Sequence, residues 1–194
     1  FFFKQKTAYE ILTCDWSSDV CSSDLAGDIY PALEKGTIDA AEWIGPYDDE
    51  KLGFAKVAKY YYTPGWWEGN SSGHMIVNLK AWEELPKDYQ NIFAAACGES
   101  NAMAMAKYDH LNPGALKRLI AGGAQLRSFP KGVMDASYQA AQEQYAEWSA
   151  KVPEFNTMYQ HYTKYLAEEL AWFRVAEGSY DNYMVSTQNA KRKG

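Results

Sequence analysis

The spacing of apolar positions changes character near residue 78. Upstream, between residues 26 and 78, short apolar runs are separated by Gly and Pro, as in an α/β segment. Downstream, apolar residues recur every three or four positions, the period of surface helices. Asp28-Ile29-Tyr30-Pro31 predicts a short helix with Asp28 as its N-cap and Gly36 as its stop. Ile38 to Trp43 predicts a short strand, ended by Gly45-Pro46. Asp48, Asp49 and Glu50 suit the first turn of a helix reaching Gly53, because acids there complement the helix dipole. Val57 to Thr63 is rich in strand formers and stops at Pro64-Gly65, and His74 to Asn78 predicts a third strand.

In the second half, Pro86 suits the start of a helix running to about His110. Its apolar stripe is Tyr89, Ile92, Phe93, Ala96, Cys97 and Met103. Asn112-Pro113 is expected to interrupt it, with a shorter helix continuing to Gly122-Gly123. Ala124 to Phe129 predicts one more strand. Met134, Tyr138, Ala141, Tyr145 and Trp148 mark an amphipathic helix over 131–151, and Pro153 restarts the pattern. The final stripe is Phe155, Tyr159, Tyr162, Leu166, Leu170 and Phe173, extending toward Tyr183. One helix of about 25–30 residues would be roughly 40 Å long, enough to bridge lobes or pack on another subunit.

Composition narrows the classes. The chain has 194 residues, is 47% hydrophobic and carries a net charge of −6, which fits a globular protein with a real core. An acidic chain without a basic stripe is a poor match for nonspecific nucleic-acid binding, which needs cations against phosphates. No run of 18 apolar residues spans a bilayer. Residues 1–25 have neither helical nor strand periodicity and lack the layout of a signal peptide. Their pieces KQKTAYEI and DWSSDVCSSDL resemble a translated sequencing-adapter read-through, so the stretch is expected to be non-native. Setting it aside removes Cys14 and Cys21 and leaves Cys97 without a disulfide partner.

Enzyme constellations are weak. His74, His110 and His161 are scattered without metal-ligand spacing, and no GxSxG, HExxH or phosphate loop is present. The informative region is 38–78. Glu42-Trp43 ends one predicted strand, and Trp66-Trp67-Glu68 follows another through a Pro-Gly turn. Strand ends are where α/β proteins assemble sites. Two carboxylates and three indoles there either line a pocket, or divide into core tryptophans and surface glutamates.

The run GDIYPALEKGTIDAAEWIGPYDDEKLGFAKVAKYYYTPGWWE resembles the extracytoplasmic solute-binding subunit of tripartite ATP-independent periplasmic (TRAP) transporters, in its 2-oxoacid and lactate branch. The likeness continues through VNLKAWEELPKDYQ to the last helices and covers 26–194. It implies an α/β, type II periplasmic-binding-protein-like fold, truncated on its N-terminal side, with long C-terminal helices. Within it, 26–78 is the site-bearing segment and 79–194 is mostly helical. It implies a periplasmic, non-enzymatic binder of a small carboxylate, such as pyruvate, another 2-oxoacid or lactate. Delivery to membrane permease subunits and a homodimer through the long C-terminal helix are also implied.

The resemblance places a hard cation, Na⁺ or Ca²⁺, beside the substrate carboxylate. Glu42 is its side-chain ligand, Trp43 its backbone-carbonyl ligand and a pocket wall, and Glu68 the second acidic group; Trp66 and Trp67 are further wall candidates. Oxygen donors favour such an ion, and a cation between glutamates and an anionic solute removes their repulsion. Family members carry an arginine for the substrate carboxylate and a glutamine for the cation in an upstream half. No residue here matches either, and Arg118, Arg127 and Arg174 lie in later segments. The chain by itself is therefore expected to bind its solute weakly or not at all. Two other readings remain: a hydrolase pairing Glu42 with Glu68, and a helical protein whose 131–185 stripes bind a partner.

Overall fold

The structure is a computed structural model and describes residues 2–3, 26–67 and 73–191. It divides into two units, one to Ser137 and one from Tyr138. In the first, a four-stranded sheet has the order β2-β1-β3-β4, with β1 at Phe2–Phe3, β2 at Ala40–Ala41, β3 at Tyr60–Thr63 and β4 at Gln125–Ser128. β1 pairs antiparallel with both neighbours, and β3 runs parallel to β4 with Tyr60 opposite Gln125 and Thr63 opposite Ser128.

Side chains alternate across a strand, and the alternation sorts this sheet into two cores. Ala41 and Tyr61 face one side, in a cluster with Ile29, Leu33, Ile38, Phe54, Ala58, Leu119 and Ala124. Ala40 belongs to the other, with Phe129 and Val133, and Tyr60, Tyr62 and Trp67 pack against it.

Helix α1, Ala26–Lys35, supplies Ile29 and Leu33 to the first core, one turn apart on one face. It starts two residues before the expected cap, so Asp28 lies in its first turn. Gly36 stops it at φ 77°, a left-handed conformation that suits glycine. Helix α2, Pro46–Leu52, begins with Pro in its first turn and ends at Gly53, φ 73°. A single 3-10 turn, Phe54–Lys56, leads to β3, so that strand is shorter than its apolar run.

The predicted strand at His74–Asn78 does not form. Ile76 is 94% exposed and finds no ladder partner among the described residues, and a strand gains its hydrogen bonds only from a neighbour. Asn78 instead caps α3, Leu79–Glu84, accepting from Ala81 N at 3.2 Å. Helix α4 runs unbroken from Lys87 to Ala121 through Pro113, contrary to the expected interruption. Proline there forgoes one helical hydrogen bond, and contacts on both sides hold the helix: Asn112 Oδ1 accepts from Tyr47 N at 3.0 Å, while Ala115 and Leu119 are buried. Gly122 and Gly123 end α4, and β4 follows where expected.

Helix α5, Lys131–Lys151, matches its predicted span and gives Val133 to the second core. In the second unit, α6 is Pro153–Val175 and α7 is Glu177–Lys191. The single long helix expected from the stripe is broken at Ala176, whose ψ is −101°. Ser179 Oγ donates to the carbonyls of Val175 and Ala176 at 2.6 and 3.0 Å, capping orphan acceptors at the break. Tyr159 joins the helices of this unit, stacked on Phe155 and 4.9 Å from Tyr145 between ring centroids. Among the described residues no helix is long and apolar enough to cross a membrane.

Candidate functional site

The segment that carries Glu42 and Trp43 leaves β2 and turns into α2 within four residues. Glu42 is half-buried, and Trp43 packs against the first core. Ile44 and Gly45 then place two backbone N–H groups beside the start of a helix whose cap, Gly45, has no side chain to use. Asp49 takes that role from inside the helix. Its Oδ1 accepts from Ile44 N at 3.4 Å and Gly45 N at 3.3 Å. Its Oδ2 accepts from the Tyr61 hydroxyl at 2.6 Å. The carboxylate is 3% exposed, and three donors converge on it, as a buried charge requires.

Burial raises the Asp49 pKa above the ordinary carboxylate value, and the bond from Tyr61 works in the opposite direction. Tyr61 is itself pushed up, first by burial and then by the negative charge of Asp49, with a smaller contribution from Glu42. Glu42 therefore acts electrostatically on the same hydroxyl that Asp49 holds.

A second set of contacts fixes α2 on α4. Arg118 Nε and Nη2 donate to the two oxygens of Glu50 at 2.7 and 2.8 Å, a bidentate pair. Tyr108 meets Tyr47 edge-on at 6.4 Å, and Lys51 lies over the Tyr47 ring at 3.5 Å. In the sequence Asp49 reads only as a first-turn acid, Tyr61 as a strand former and Asn112-Pro113 as a break. One signal was available for Asp49: an acid in the turn after an uncappable Gly-Pro start, positioned to reach back to free N–H groups.

The tryptophans separate. Trp43 belongs to the first core and Trp67 to the second, on opposite faces of the sheet. Trp67 sits edge-on to Phe129 at 6.2 Å, and Trp66 sits edge-on to Trp67 at 5.5 Å while remaining 39% exposed. The peptide between Thr63 and Pro64, ahead of this pair, is cis. Glu68 lies outside the described residues. Glu42 and Trp43 thus stand together at the end of β2, with Trp66 and Trp67 at the end of β3, two positions across the sheet. Among the described residues no group of three or more His, Cys, Asp or Glu gathers to hold a metal. Oxygen donors such as the Glu42 carboxylate and the Trp43 carbonyl are of the type that suits a hard cation.

Comparison with known proteins bears on the family and the fold. The profile of the bacterial extracellular solute-binding proteins, family 7 (DctP), matches residues 25–151. A monocarboxylate 2-oxoacid-binding periplasmic protein of Nostoc sp. PCC 7120 is 45% identical over 162 residues, 84% of this chain and 44% of its own length. A TRAP transporter solute-binding protein from Bordetella bronchiseptica, a mixed-occupancy dimer with copurified calcium and picolinate in its active site, superposes with TM-score 0.81 at 55% identity. That likeness covers 88% of this chain and 51% of the other. The TRAP periplasmic solute-binding protein of Colwellia psychrerythraea, with calcium and pyruvate bound, gives TM-score 0.73 at 33% identity, over 83% of this chain and 50% of that one. Its counterpart from Pseudoalteromonas atlantica, with sodium and pyruvate, gives 0.72 at 32%, over 83% and 49%.

The chain spans about half the length of these relatives. Their likeness bears out the type II periplasmic-binding-protein-like fold expected from the sequence. With two-thirds of its residues inside the profile and its fold shared with these proteins, the chain belongs to bacterial extracellular solute-binding protein family 7.

Proposed function

We propose that this chain is the C-terminal part of a periplasmic solute-binding protein that captures a small 2-oxoacid or related monocarboxylate together with a hard cation and delivers it to TRAP permease subunits. The observation that carries the reading is the Glu42-Trp43 step: a half-buried carboxylate and a carbonyl at a strand end, in the branch whose relatives are described with calcium or sodium and pyruvate. The cation supplies positive charge between acidic side chains and an organic acid. Two like charges about 4 Å apart repel by roughly 4 kcal/mol at a protein surface, so binding without that charge is disfavoured. Glu42, the Trp43 carbonyl and Glu68 would hold it, and Trp66 offers an exposed ring as a wall. Binding and release, with no covalent step, fit this donor set better than hydrolysis by Glu42 and Glu68.

The start of the family match at residue 25 supports setting the preceding stretch aside as non-native, although Phe2–Phe3 of that stretch pairs with both β2 and β3. The exposed side chains of Met158, Tyr162, Leu170 and Phe173 on α6 support a homodimer formed through this helix. Light scattering on the complete protein tests that; a strict monomer counts against it. Calorimetry tests the main reading. The complete protein should bind pyruvate in the presence of Ca²⁺ and lose that binding in chelator, and Glu42→Gln should weaken Ca²⁺ by tenfold or more. Pyruvate binding unaffected by chelator and by Glu42→Gln would remove the cation from the scheme.

A further inference from the structure

The Trp43 carbonyl and the Ile44 N–H belong to one peptide group. That group is planar and trans, so the two dipole ends point in opposite directions. The Ile44 N–H is directed at Asp49 Oδ1, 3.4 Å away, and the adjacent Gly45 N–H at the same oxygen, 3.3 Å away. Fixing the donor end of the peptide fixes the acceptor end. The Trp43 carbonyl must therefore face away from the Asp49 carboxylate.

We propose that Asp49 is the positioning residue of the cation site: by accepting the Ile44 N–H it aims the Trp43 carbonyl, and by accepting the Tyr61 hydroxyl it ties that peptide to strand β3. The inference rests on the proposed role of the Trp43 carbonyl as a ligand. Two features favour positioning over simple capping. A cap alone needs the Gly45 N–H, whereas the carboxylate also takes Ile44, which lies outside the helix. Its second oxygen is spent on a different strand, at the shortest of the three distances. A negative charge at the donor end also polarises the peptide, making its carbonyl a stronger oxygen donor. Glu42, the other proposed ligand, directly precedes Trp43 in the chain.

The test uses the complete solute-binding protein that carries this segment, with Tb³⁺ as a luminescent stand-in for Ca²⁺. Three quantities are read: Ca²⁺ affinity, the number of waters on bound Tb³⁺ from lifetimes in H₂O and D₂O, and the cation-free melting temperature. Asp49→Asn should weaken Ca²⁺ tenfold or more and add roughly one water to bound Tb³⁺, because water fills a lost oxygen position. Tyr61→Phe keeps the carboxylate but frees it from β3. It should weaken Ca²⁺ by about threefold or more. Wild-type protein that binds neither Ca²⁺ nor Tb³⁺ defeats the functional reading itself. Wild-type binding with both variants inside twofold of it, at unchanged hydration, overturns the inference and leaves Asp49 a cap. If Asp49→Asn does not fold, unchanged affinity in Tyr61→Phe has the same consequence.

Discussion

The hydroxyl of Tyr61 donates to Oδ2 of Asp49 across 2.6 Å, and both side chains are buried. Twelve residues of sequence separate them, and the bond joins β3 to the first turn of α2. Removing the donor leaves a buried carboxylate short of one partner. Tyr61→Phe is therefore expected to destabilise the first unit by about 1–3 kcal/mol. A urea midpoint equal to that of the wild type would show that water or another group replaces the hydroxyl without cost.

Neighbouring carboxyls should respond to acid with opposite signs. Burial raises Asp49, so between the ordinary carboxyl range and its raised folded value the folded state takes up a proton. Its contribution to stability then grows as pH falls through that window. Glu50 is lowered, chiefly by its hydrogen bond from Arg118, so its contribution is present above the unfolded pKa and is lost as pH falls through the folded value. Denaturation curves from neutral pH down to about pH 3 are the measurement. Relative to wild type, Glu50→Gln should lose its deficit in acid, and Asp49→Asn should look worst at the acid end. Parallel curves for all three proteins would refute both assignments.

Pro113 leaves the Asp109 carbonyl without its helical N–H partner inside an otherwise continuous α4. Pro113→Ala restores that donor, so the urea midpoint should rise, by about 1–3 kcal/mol in stability. Asn112→Ala works in the other direction, since the Tyr47 N–H loses its acceptor; a loss of about 1 kcal/mol is expected. A fall in stability for Pro113→Ala would mean that the proline ring packs in a way that outweighs the missing bond.

The two adjacent tryptophans should separate by function. Trp67 packs against Phe129 in the second core, and Trp67→Ala should cost about 3–5 kcal/mol or prevent folding. Trp66 is more exposed, so Trp66→Ala should change stability by less than about 1 kcal/mol. In the complete protein the same change should lower solute affinity. Equal losses of stability in the two variants would place both rings in the core and remove Trp66 from the site.

Local chemistry fixed a large part of the architecture. Gly36, Gly53 and Gly122-Gly123 end their helices where the residue type requires it, and the 131–151 stripe forms a helix with those bounds. The long run from GDIY to PGWWE was sufficient for the family, and it located Glu42 and Trp43 at a strand end. Other features depend on partners far along the chain, which no local pattern encodes. HMIVN has the composition of a strand but, among the described residues, no neighbour to pair with, and Pro113 stays helical because α2 and the first core brace α4. The split of Trp43 and Trp67 between two cores is set by the segments that follow β2 and β3, which carry each ring to a different face once the sheet has assembled. The convergence of Ile44, Gly45 and Tyr61 on Asp49 is likewise tertiary: a carboxylate becomes a junction only when folding buries it among donors drawn from different elements.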